Sequence, residues 1–168
     1  LRFALRIDKN EEETQAKRGF GHLEAMTLNT FSVKITNKMI FGKTVKEVRH
    51  ILDRDFMISQ IHRPDNNNNK EMVNGQTVLN EGDIIYVVAH PTVQEPLIAL
   101  CGEKIDMAWE EFGNELITRR IRITKPGING KTISQMQIRS NLGTNITRVN
   151  RAGVDLIATP NLKLQLGD

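Results

Sequence analysis

Cysteine is almost absent from the sequence. Its 168 residues contain a single cysteine, Cys101, which excludes a disulfide framework and a cysteine-rich zinc site and favours a reducing compartment. No apolar run approaches the roughly 18 residues that a membrane-spanning helix requires. Residues 1–7 are interrupted by Arg2 and Arg6 and lack the apolar core of a signal peptide. Only 5% of the residues are aromatic, so the stacking platforms of single-strand binders are missing and no nucleic-acid partner is expected.

Charge is unevenly distributed along the chain, although the net charge is only +3. Residues 91–118 hold one basic and six acidic side chains, whereas residues 119–168 hold nine basic and two acidic ones. An acidic segment beside a basic one favours docking of the two on each other. A basic face for nucleic acid or anionic lipid is the alternative interpretation, for which a charge stripe alone is weak evidence.

The sequence contains an internal repeat at an offset of 88 residues. The match needs no gap across 31 positions and then resumes at an offset of 85, because the first copy has three extra residues in the polar loop of residues 65–70. Such a repeat indicates two copies of one supersecondary unit. The matching segments are residues 33–36 and 121–124, 42–45 and 130–133, 58–63 and 146–151, and 78–83 and 163–168.

Each copy is predicted to contain one helix that begins with a capping box. The cap residue and the residue three positions later are Thr44 and Glu47 in the first copy, and Thr132 and Gln135 in the second. Apolar residues at helical spacing then predict a buried stripe. The stripe comprises Val45, Val48 and Leu52 in the first copy, and Ile133, Met136 and, near the helix end, Leu142 in the second.

The strands are predicted from alternating or continuous apolar residues. A first strand contains Phe31, Val33 and Ile35 in one copy and Ile117, Ile121 and Ile123 in the other. A second strand spans residues 56–63 or 144–151, and a short third strand lies around residues 72–73 or 156–158. Residues 84–89 then predict an apolar strand that is buried on both faces. The second copy has no counterpart of this strand, so we expect the chain to be a piece of a longer protein.

The segments outside the matched regions are predicted to be short helices. Residues 11–18 have acidic side chains first and basic ones last. Pro96 suits a first helical position, followed by a buried face at Leu97, Ile98 and Leu100. A further helix is expected over residues 107–112. The predicted domains are an N-terminal linker segment, the first copy, an acidic connector and the second copy, at residues 1–30, 31–103, 104–116 and 117–168.

No catalytic or metal-binding constellation is apparent. The two Gly-Lys-Thr sequences end like a P-loop, but its earlier glycine is replaced by Asn37 and Lys125. The structural role is therefore favoured, with the threonine capping a helix. The histidines lack metal-ligand spacing, and Cys101 suits a buried small side chain. We expect no enzyme activity, no metal and no resident cofactor.

Arg63 and Arg151 recur at the end of the second strand of each copy, and Asp83 and Asp168 recur in a Gly-Asp turn. In one interpretation, arginine and aspartate join strand ends within each copy. In the other, the arginines bind a small anionic ligand, because a guanidinium offers two parallel donors to phosphate or carboxylate. Both interpretations remain open at this point.

The order of these motifs resembles the RCK C-terminal domain, also called the TrkA C-terminal domain. The pattern is Ile-Thr-Asn, Gly-Lys-Thr, Ile-x-x-Ile-x-Arg, a polar turn and Gly-Asp before an apolar strand. Its duplication over residues 31–168 is similar to the central region of the aspartate:alanine exchanger family, including YidE/YbjL-type transporters. No glycine-rich strand–turn–helix motif precedes either copy, so NAD or ATP binding is not carried over from potassium-channel relatives.

The resemblance implies an α+β fold of two tandem β-α-β-β(-β) units, each with three or four strands, the second lacking its last strand. It also implies a regulatory, ligand-sensing and assembly module, placed between transmembrane blocks on the cytoplasmic side of the inner membrane. Domains of this type commonly dimerise, and some bind cyclic di-AMP or another small ligand at the dimer groove. A homodimer and an anionic ligand such as a cyclic dinucleotide are therefore expectations here.

Overall fold

The computed structural model describes residues 27–64, 70–107 and 119–168. The helix predicted at residues 11–18 lies outside these ranges, as do residues 108–112 of the helix predicted after residue 106. Within the described residues the fold is mixed α/β and is built on an antiparallel sheet.

The first copy forms a five-stranded antiparallel sheet with strand order β3-β2-β4-β1-β5. The strands predicted around residues 31–35, 56–63, 72–73 and 84–89 are all present, and β5 adds a strand that the pattern did not predict. The first copy therefore has more strands than the three or four expected. The strands are β1 (Asn29–Ile35), β2 (Phe56–His62), β3 (Lys70–Met72), β4 (Ile84–Ala89) and β5 (Gly102–Ile105).

Strand β1 shows how the alternation of apolar residues places the core. Its side chains Phe31, Val33 and Ile35 are buried on one face of the sheet, as the period of two requires. They join a single apolar cluster that includes residues of β2, β4 and both helices of the first copy. Strand β4 is less completely buried than predicted, because Ile84 and Tyr86 are partly exposed.

Helix α1 (Val45–Leu52) begins at the predicted cap residue and buries Val45 and Val48. It ends at Asp53, which adopts a left-handed conformation with φ of 50°. The guanidinium of Arg49 donates to the carbonyl of Phe56 at 3.0 Å and lies 5.5 Å from the centre of its ring. This contact joins the helix to the start of β2.

Helix α2 (Pro91–Cys101) begins five residues earlier than predicted. Pro91 occupies the start of the helix and Pro96 lies inside it. The placement of Pro96 at a first helical position was therefore wrong: Pro91 satisfies the same preference, and its fixed φ suits a helix start. The predicted apolar face does pack on the core: Leu97 is fully buried, and Ile98 and Leu100 are partly buried against it.

Helix α2 passes directly into β5 at Gly102, with no intervening loop. Gly102 has a φ of 150°, and an added Cβ would overlap the backbone oxygen of Lys34. Strand β5 pairs with β1 as far as Ile105. It therefore crosses the predicted boundary at residue 103, and the first residues of the predicted acidic connector belong to the sheet.

The second copy contains shorter elements than the first. The predicted long helix is two short ones, α3 (Ile133–Met136) and α4 (Ile138–Leu142), because Gln137 between them adopts a left-handed conformation with φ of 47°. Leu142 is 72% exposed and does not pack as predicted. The strands are β6 (Arg148–Arg151) and β7 (Val154–Ile157), which pair antiparallel.

The first predicted strand of the second copy is not formed in its described part, residues 119–125. In the first copy, β1 lies between β4 and β5 and forms backbone hydrogen bonds with both strands. Among the described residues, the backbone of Ile123 instead bonds to that of Gly167 and Asp168, each at 2.9 Å. The second strand, predicted over residues 144–151, is shortened to β6, which pairs with β7 in a two-stranded sheet.

Backbone hydrogen bonds recur between the copies at the sequence offsets of the repeat. Gly42 N–H donates to the carbonyl of Leu79 at 2.8 Å, and Gly130 N–H donates to that of Leu164 at 2.8 Å. Both glycines have positive φ, 76° and 81°. Gly82 and Gly167 likewise donate to Ile35 and Ile123, each at 2.9 Å. The two copies therefore share a local backbone arrangement around these turns.

Candidate functional site

The threonine of the Gly-Lys-Thr sequence in the first copy is the N-cap of helix α1. The hydroxyl of Thr44 accepts from the backbone N–H of Glu47 at 3.3 Å, and the N–H of Thr44 donates to the Glu47 carboxylate at 2.7 Å. The hydroxyl of Thr44 also donates to that carboxylate, and these bonds lower the pKa of Glu47. The carboxylate thus occupies the donors that a phosphate would need at this turn.

The second copy repeats this cap with a neutral partner. The hydroxyl of Thr132 accepts from the backbone N–H of Gln135 at 3.2 Å, and the Gln135 amide oxygen accepts from the N–H of Thr132 at 2.9 Å. Thr44 and Thr132 therefore have the same structural function, and the chemistry of both turns is that of a helix start.

An open groove of about 680 Å³ lies beside the cap of the first copy. Its lining includes Lys43, Lys46 and His50, together with the capping Glu47. Two lysines and a histidine give the groove a basic rim, while Glu47 contributes a negative charge within it. The groove is therefore a mixed-charge surface rather than a uniformly positive one.

Arg63 follows β2 in the first copy, beside the loop that precedes β4. Its guanidinium donates to the carbonyl of Val78 at 3.2 Å, and its Nε lies 3.6 Å from the carboxylate of Glu71. The Glu71 side chain is 43% exposed, so this ion pair is screened by water and weak. Arg63 thus retains donors that are not committed to a close carboxylate.

Arg151 is held much more tightly than Arg63. Its Nε and one Nη donate to the two carboxylate oxygens of Asp168 at 2.8 and 2.7 Å, and it also donates to the carbonyl of Lys163 at 2.7 Å. The bonds to Arg151 hold the pKa of Asp168 below its usual value, and those to Asp168 raise the pKa of Arg151. Arg151 joins a strand end to the Gly-Asp turn, as the structural interpretation expected.

The two arginines make one equivalent contact in separate copies. Val78 and Lys163, whose carbonyls accept these bonds, match each other at the offset of 85. The contact to a carboxylate differs, since Arg151 binds Asp168 of the Gly-Asp turn and Arg63 lies near Glu71 of β3. The anion-binding role of both residues stays a prediction, and Arg63 has the more available guanidinium.

The sequence did not predict the residues that join the copies. The guanidinium of Arg139 in α4 donates to the backbone carbonyls of Met72 and Val73 at the end of β3. The amide of Asn145 donates to the carbonyl of Val73 at 3.1 Å. These bonds connect the second copy to the sheet of the first, and we call them the junction.

An apolar contact extends the junction. Ile157 of β7 packs with Leu28 and Val88, and the partly buried Met57 lies against them. The repeat contained a signal for this surface, because Arg139 and Asn145 match the apolar residues Ile51 and Met57 of the first copy. At these two positions the second copy has a polar residue where the first has an apolar one, and the polar residue makes the contact between the copies.

The described residues offer little that could hold a metal or perform covalent chemistry. They include no cluster of three or more histidine, cysteine or acidic side chains suited to a metal ion. Cys101 is fully buried at the end of α2, and burial raises its pKa to about 12. None of the helices in this part of the chain is long and apolar enough to cross a membrane.

Comparisons with known proteins show what the first copy is similar to. Residues 31–102 match the profile of the TrkA-C domain. A Bacteroides fragilis (strain YCH46) protein named "Uncharacterized transporter BF2507" is 44% identical over 168 residues, which are 100% of this chain and 30% of that protein. A Bacteroides thetaiotaomicron protein named "Uncharacterized transporter" is 36% identical over 166 residues, with 99% and 29% covered.

The chain thus spans about 30% of the length of these curated relatives. Among solved structures, the GsuK RCK domain has a TM-score of 0.35 and 16% identity, covering 54% of this chain and 20% of that one. This likeness is too weak to support a further structural argument. Residues 31–102 thus match the TrkA-C domain, in a chain that is similar along its whole length to part of proteins named as transporters.

Proposed function

We propose that this chain is a regulatory and assembly module of a membrane transporter, on the cytoplasmic side of the inner membrane. The proposal rests on the TrkA-C domain at residues 31–102, within a chain that aligns from end to end with proteins named as transporters. Its partners are then the membrane-spanning parts of the same polypeptide and a second copy of the chain in a homodimer.

The second copy, in this proposal, is a second TrkA-C-like unit. The recurring capping boxes and turn hydrogen bonds support this assignment. The domain limits proposed from the sequence are residues 31–103 and 117–168 for the two units and residues 104–116 for the connector. We move the first of these limits to residue 105, where β5 ends. The aspartate:alanine exchanger family is the transport class that we propose for the longer protein.

The junction is the element through which regulation would act. Among the described residues, it joins the copies by three side-chain bonds to backbone carbonyls and one small apolar cluster. A contact of this size permits more than one arrangement of the copies. A ligand that binds one arrangement more tightly than another shifts the population by that difference in binding free energy, and the transporter responds to the shift.

The proposed ligand is a small anion, such as a cyclic dinucleotide. Arg63 is the better candidate for its recognition, because its only carboxylate contact in the described residues is at 3.6 Å and exposed. Arg151 would have to release Asp168 before it could bind another anion. We therefore expect a ligand to depend more strongly on Arg63 than on Arg151.

A thermal-shift experiment on the 168-residue chain tests ligand sensing. The probes are cyclic di-AMP, mononucleotides and acidic amino acids, each over a concentration series. A ligand present at about 100 times its dissociation constant stabilises the folded chain by about 2.7 kcal/mol. Arg63→Ala should weaken the effect of such a ligand, and Arg151→Ala is the matched variant in the other copy. Binding that is unaffected by both changes would remove the arginines from the proposal.

Reconstitution of the longer protein into liposomes tests the coupling to transport. Arg139→Ala removes two junction bonds without touching either candidate arginine. We expect it to change the rate of aspartate–alanine exchange, or its response to a bound ligand, while ligand affinity changes little. Unchanged exchange with and without ligand would contradict regulation through the junction.

A second candidate function uses the basic surface of the second copy. Arg119, Arg120 and Arg122 are all exposed, which favours binding to nucleic acid or to an anionic surface. Association of this kind weakens steeply with salt, because bound counterions are released. Retention of the chain on DNA or on anionic vesicles at low salt, lost at physiological salt, would support this alternative over ligand sensing.

A further inference from the structure

Two Asn-Gly pairs occur in the sequence, one in each copy. Asn74-Gly75 lies in the turn that follows β3, and Asn129-Gly130 lies in the turn that precedes α3. Asparagine before glycine loses ammonia more readily than asparagine before other residues, because glycine has no side chain to shield its backbone nitrogen. The two pairs carry the same reactive groups, so the hydrogen bonds around each pair decide how fast it reacts.

The side-chain carbonyl of Asn74 is held by two hydrogen-bond donors. Its Oδ1 accepts from the backbone N–H of Gln76 at 2.7 Å and from the hydroxyl of Thr77 at 3.4 Å. The bond to Gln76 closes an Asx turn, which folds the side chain back over the peptide between Asn74 and Gly75. Both donors bind an oxygen that becomes negatively charged when a nucleophile adds to the carbonyl, as in an oxyanion hole.

The backbone nitrogen of Gly75 is the nucleophile that this arrangement favours. Within the part of the chain that the structure describes, its N–H donates no hydrogen bond, while its carbonyl accepts from the N–H of Lys46 at 2.9 Å. The bond to Lys46 fixes the carbonyl end of Gly75 to the start of α1. Asn74 is exposed, so water and hydroxide reach the reacting groups.

Asn129-Gly130 has its reacting groups tied to another segment of the chain. The N–H of Gly130 donates to the carbonyl of Leu164 at 2.8 Å, and Oδ1 of Asn129 accepts from the N–H of Leu166 at 3.2 Å. A nitrogen whose proton is held in a backbone hydrogen bond must first be released by local opening of the turn. The structure therefore distinguishes a reactive pair in the first copy from a protected pair in the second.

We propose that Asn74 is a site of spontaneous deamidation, promoted by the turn of residues 74–77. Hydroxide removes the amide proton of Gly75, and the nitrogen forms a bond to Cγ of Asn74. The Cγ–Nδ2 bond then breaks, and Nδ2 leaves as ammonia after taking a proton from water. Water adds to either carbonyl of the resulting five-membered imide, so the products are aspartate and isoaspartate at position 74. The net reaction consumes one water and releases one ammonia, with no oxidation or reduction.

The modified residue lies between two backbone positions that are held by other parts of the fold. Directly before it, the carbonyl of Val73 accepts from Arg139 and Asn145 of the junction. Directly after it, the carbonyl of Gly75 is bonded to α1 at Lys46. Isoaspartate, the product of water addition at the main-chain carbonyl, places one additional methylene in the backbone between these positions. We expect this product to weaken the junction, in a fraction of chains that rises with the age of the protein.

Ageing of the purified 168-residue chain, followed by peptide mass spectrometry, tests the site. In the folded chain we expect position 74 to convert about tenfold faster than position 129 or more, because each hydrogen bond that must open at position 129 lowers the population of the reactive form. In concentrated guanidinium chloride the turns are lost, and both positions should convert at similar rates. Equal rates in the folded chain, or slower conversion of position 74 in the folded chain than in the unfolded one, would overturn the proposal.

Substitution of Thr77 separates the contribution of the turn from that of the Asn-Gly sequence. Thr77→Val removes the hydroxyl donor to Asn74 and should slow conversion at position 74 about threefold or more, whereas Thr77→Ser keeps the donor and should keep the rate. Position 129 is the internal control, and its rate should change in neither variant. An unchanged rate at position 74 in a folded Thr77→Val chain would contradict promotion by the turn.

Hydrogen exchange measures the effect on the junction. Deamidated chains, which carry one more negative charge, are separated from unmodified chains by ion exchange, and amide exchange in β6 and β7 should be faster in the deamidated chains. Asn74→Asp adds the charge without the methylene and should exchange as the unmodified chain does. Equal exchange in deamidated and unmodified chains would contradict the effect on the junction. These measurements use neither a ligand nor the longer protein, so their failure can be distinguished from that of the proposed function.

Discussion

Replacing one matched leucine in each copy tests whether the core of the second copy is less shielded from solvent than the core of the first. Leu79 and Leu164 match at the offset of 85, and their side chains are 0% and 2% exposed. The N–H of Leu79 donates to Lys43 and that of Leu164 to Lys131, both at 2.8 Å. Leu→Ala at either position therefore removes the same atoms from the same backbone setting.

The expected cost differs because the surroundings differ. Leu79 belongs to the main core, where the neighbouring side chains are buried. Truncation in a closed core leaves a cavity, and we expect Leu79→Ala to lower the free energy of unfolding by about 3 to 5 kcal/mol. Leu164 belongs to the second copy, where apolar side chains such as Ile123 and Ile133 are partly exposed. The space can be filled by their movement or by water, so we expect a cost of about 2 to 3 kcal/mol.

Urea unfolding followed by circular dichroism measures both values. A chain with two copies can unfold in two transitions, so each variant is assigned to the transition that it shifts. Leu142→Ala is the control, because its side chain is 72% exposed and its loss should change stability by less than about 0.5 kcal/mol. A cost for Leu164→Ala equal to or greater than that for Leu79→Ala would refute the interpretation that the second core is open.

Three further predictions concern the cap, the cysteine and the Arg151–Asp168 pair. Thr44→Ala should lower stability in urea unfolding by about 1 kcal/mol, whereas Thr44→Ser, which keeps the capping oxygen, should cost clearly less. Because burial raises the pKa of Cys101 to about 12, thiol reagents at about pH 8 should modify it only after urea is added; fast modification of the native chain would contradict its burial. The bond to Arg151 lowers the pKa of Asp168, so the ionised pair stabilises the folded chain fully at neutral pH. This stabilisation is lost as the pH falls through the lowered pKa of Asp168 in the folded chain. Asp168→Asn should therefore reduce stability at neutral pH and flatten the acid side of the stability curve, and an unchanged curve would count against the pair.

Local signals in the sequence were sufficient for most of the first copy. The alternation at Phe31, Val33 and Ile35 and the capping box at Thr44 and Glu47 are properties of neighbouring residues, and the structure contains both. The start of α2 was misplaced because Pro91 and Pro96 each satisfy the preference for proline at a helix start. Which proline begins the helix depends on packing against the sheet, which the local pattern does not contain.

The second copy was predicted less well because its elements depend on distant partners. A strand at Ile121 and Ile123 needs neighbouring strands to bond, and an apolar pattern alone does not provide them. The left-handed residue Gln137, which ends α3, has no distinctive sequence signal. The junction was missed for the same reason, since Arg139 and Asn145 contact residues more than sixty positions away.

The direct passage from α2 into β5 at Gly102 has a consequence for the path of the chain. A loop would allow insertions and a range of directions for the residues that follow, but here the helix end and the edge strand are consecutive. The polypeptide therefore leaves the first copy along the edge of the sheet, in a direction fixed by the pairing of β5 with β1. A rotation of the sheet of the first copy therefore turns the start of the connector with it, because β5 is bonded to β1 up to Ile105.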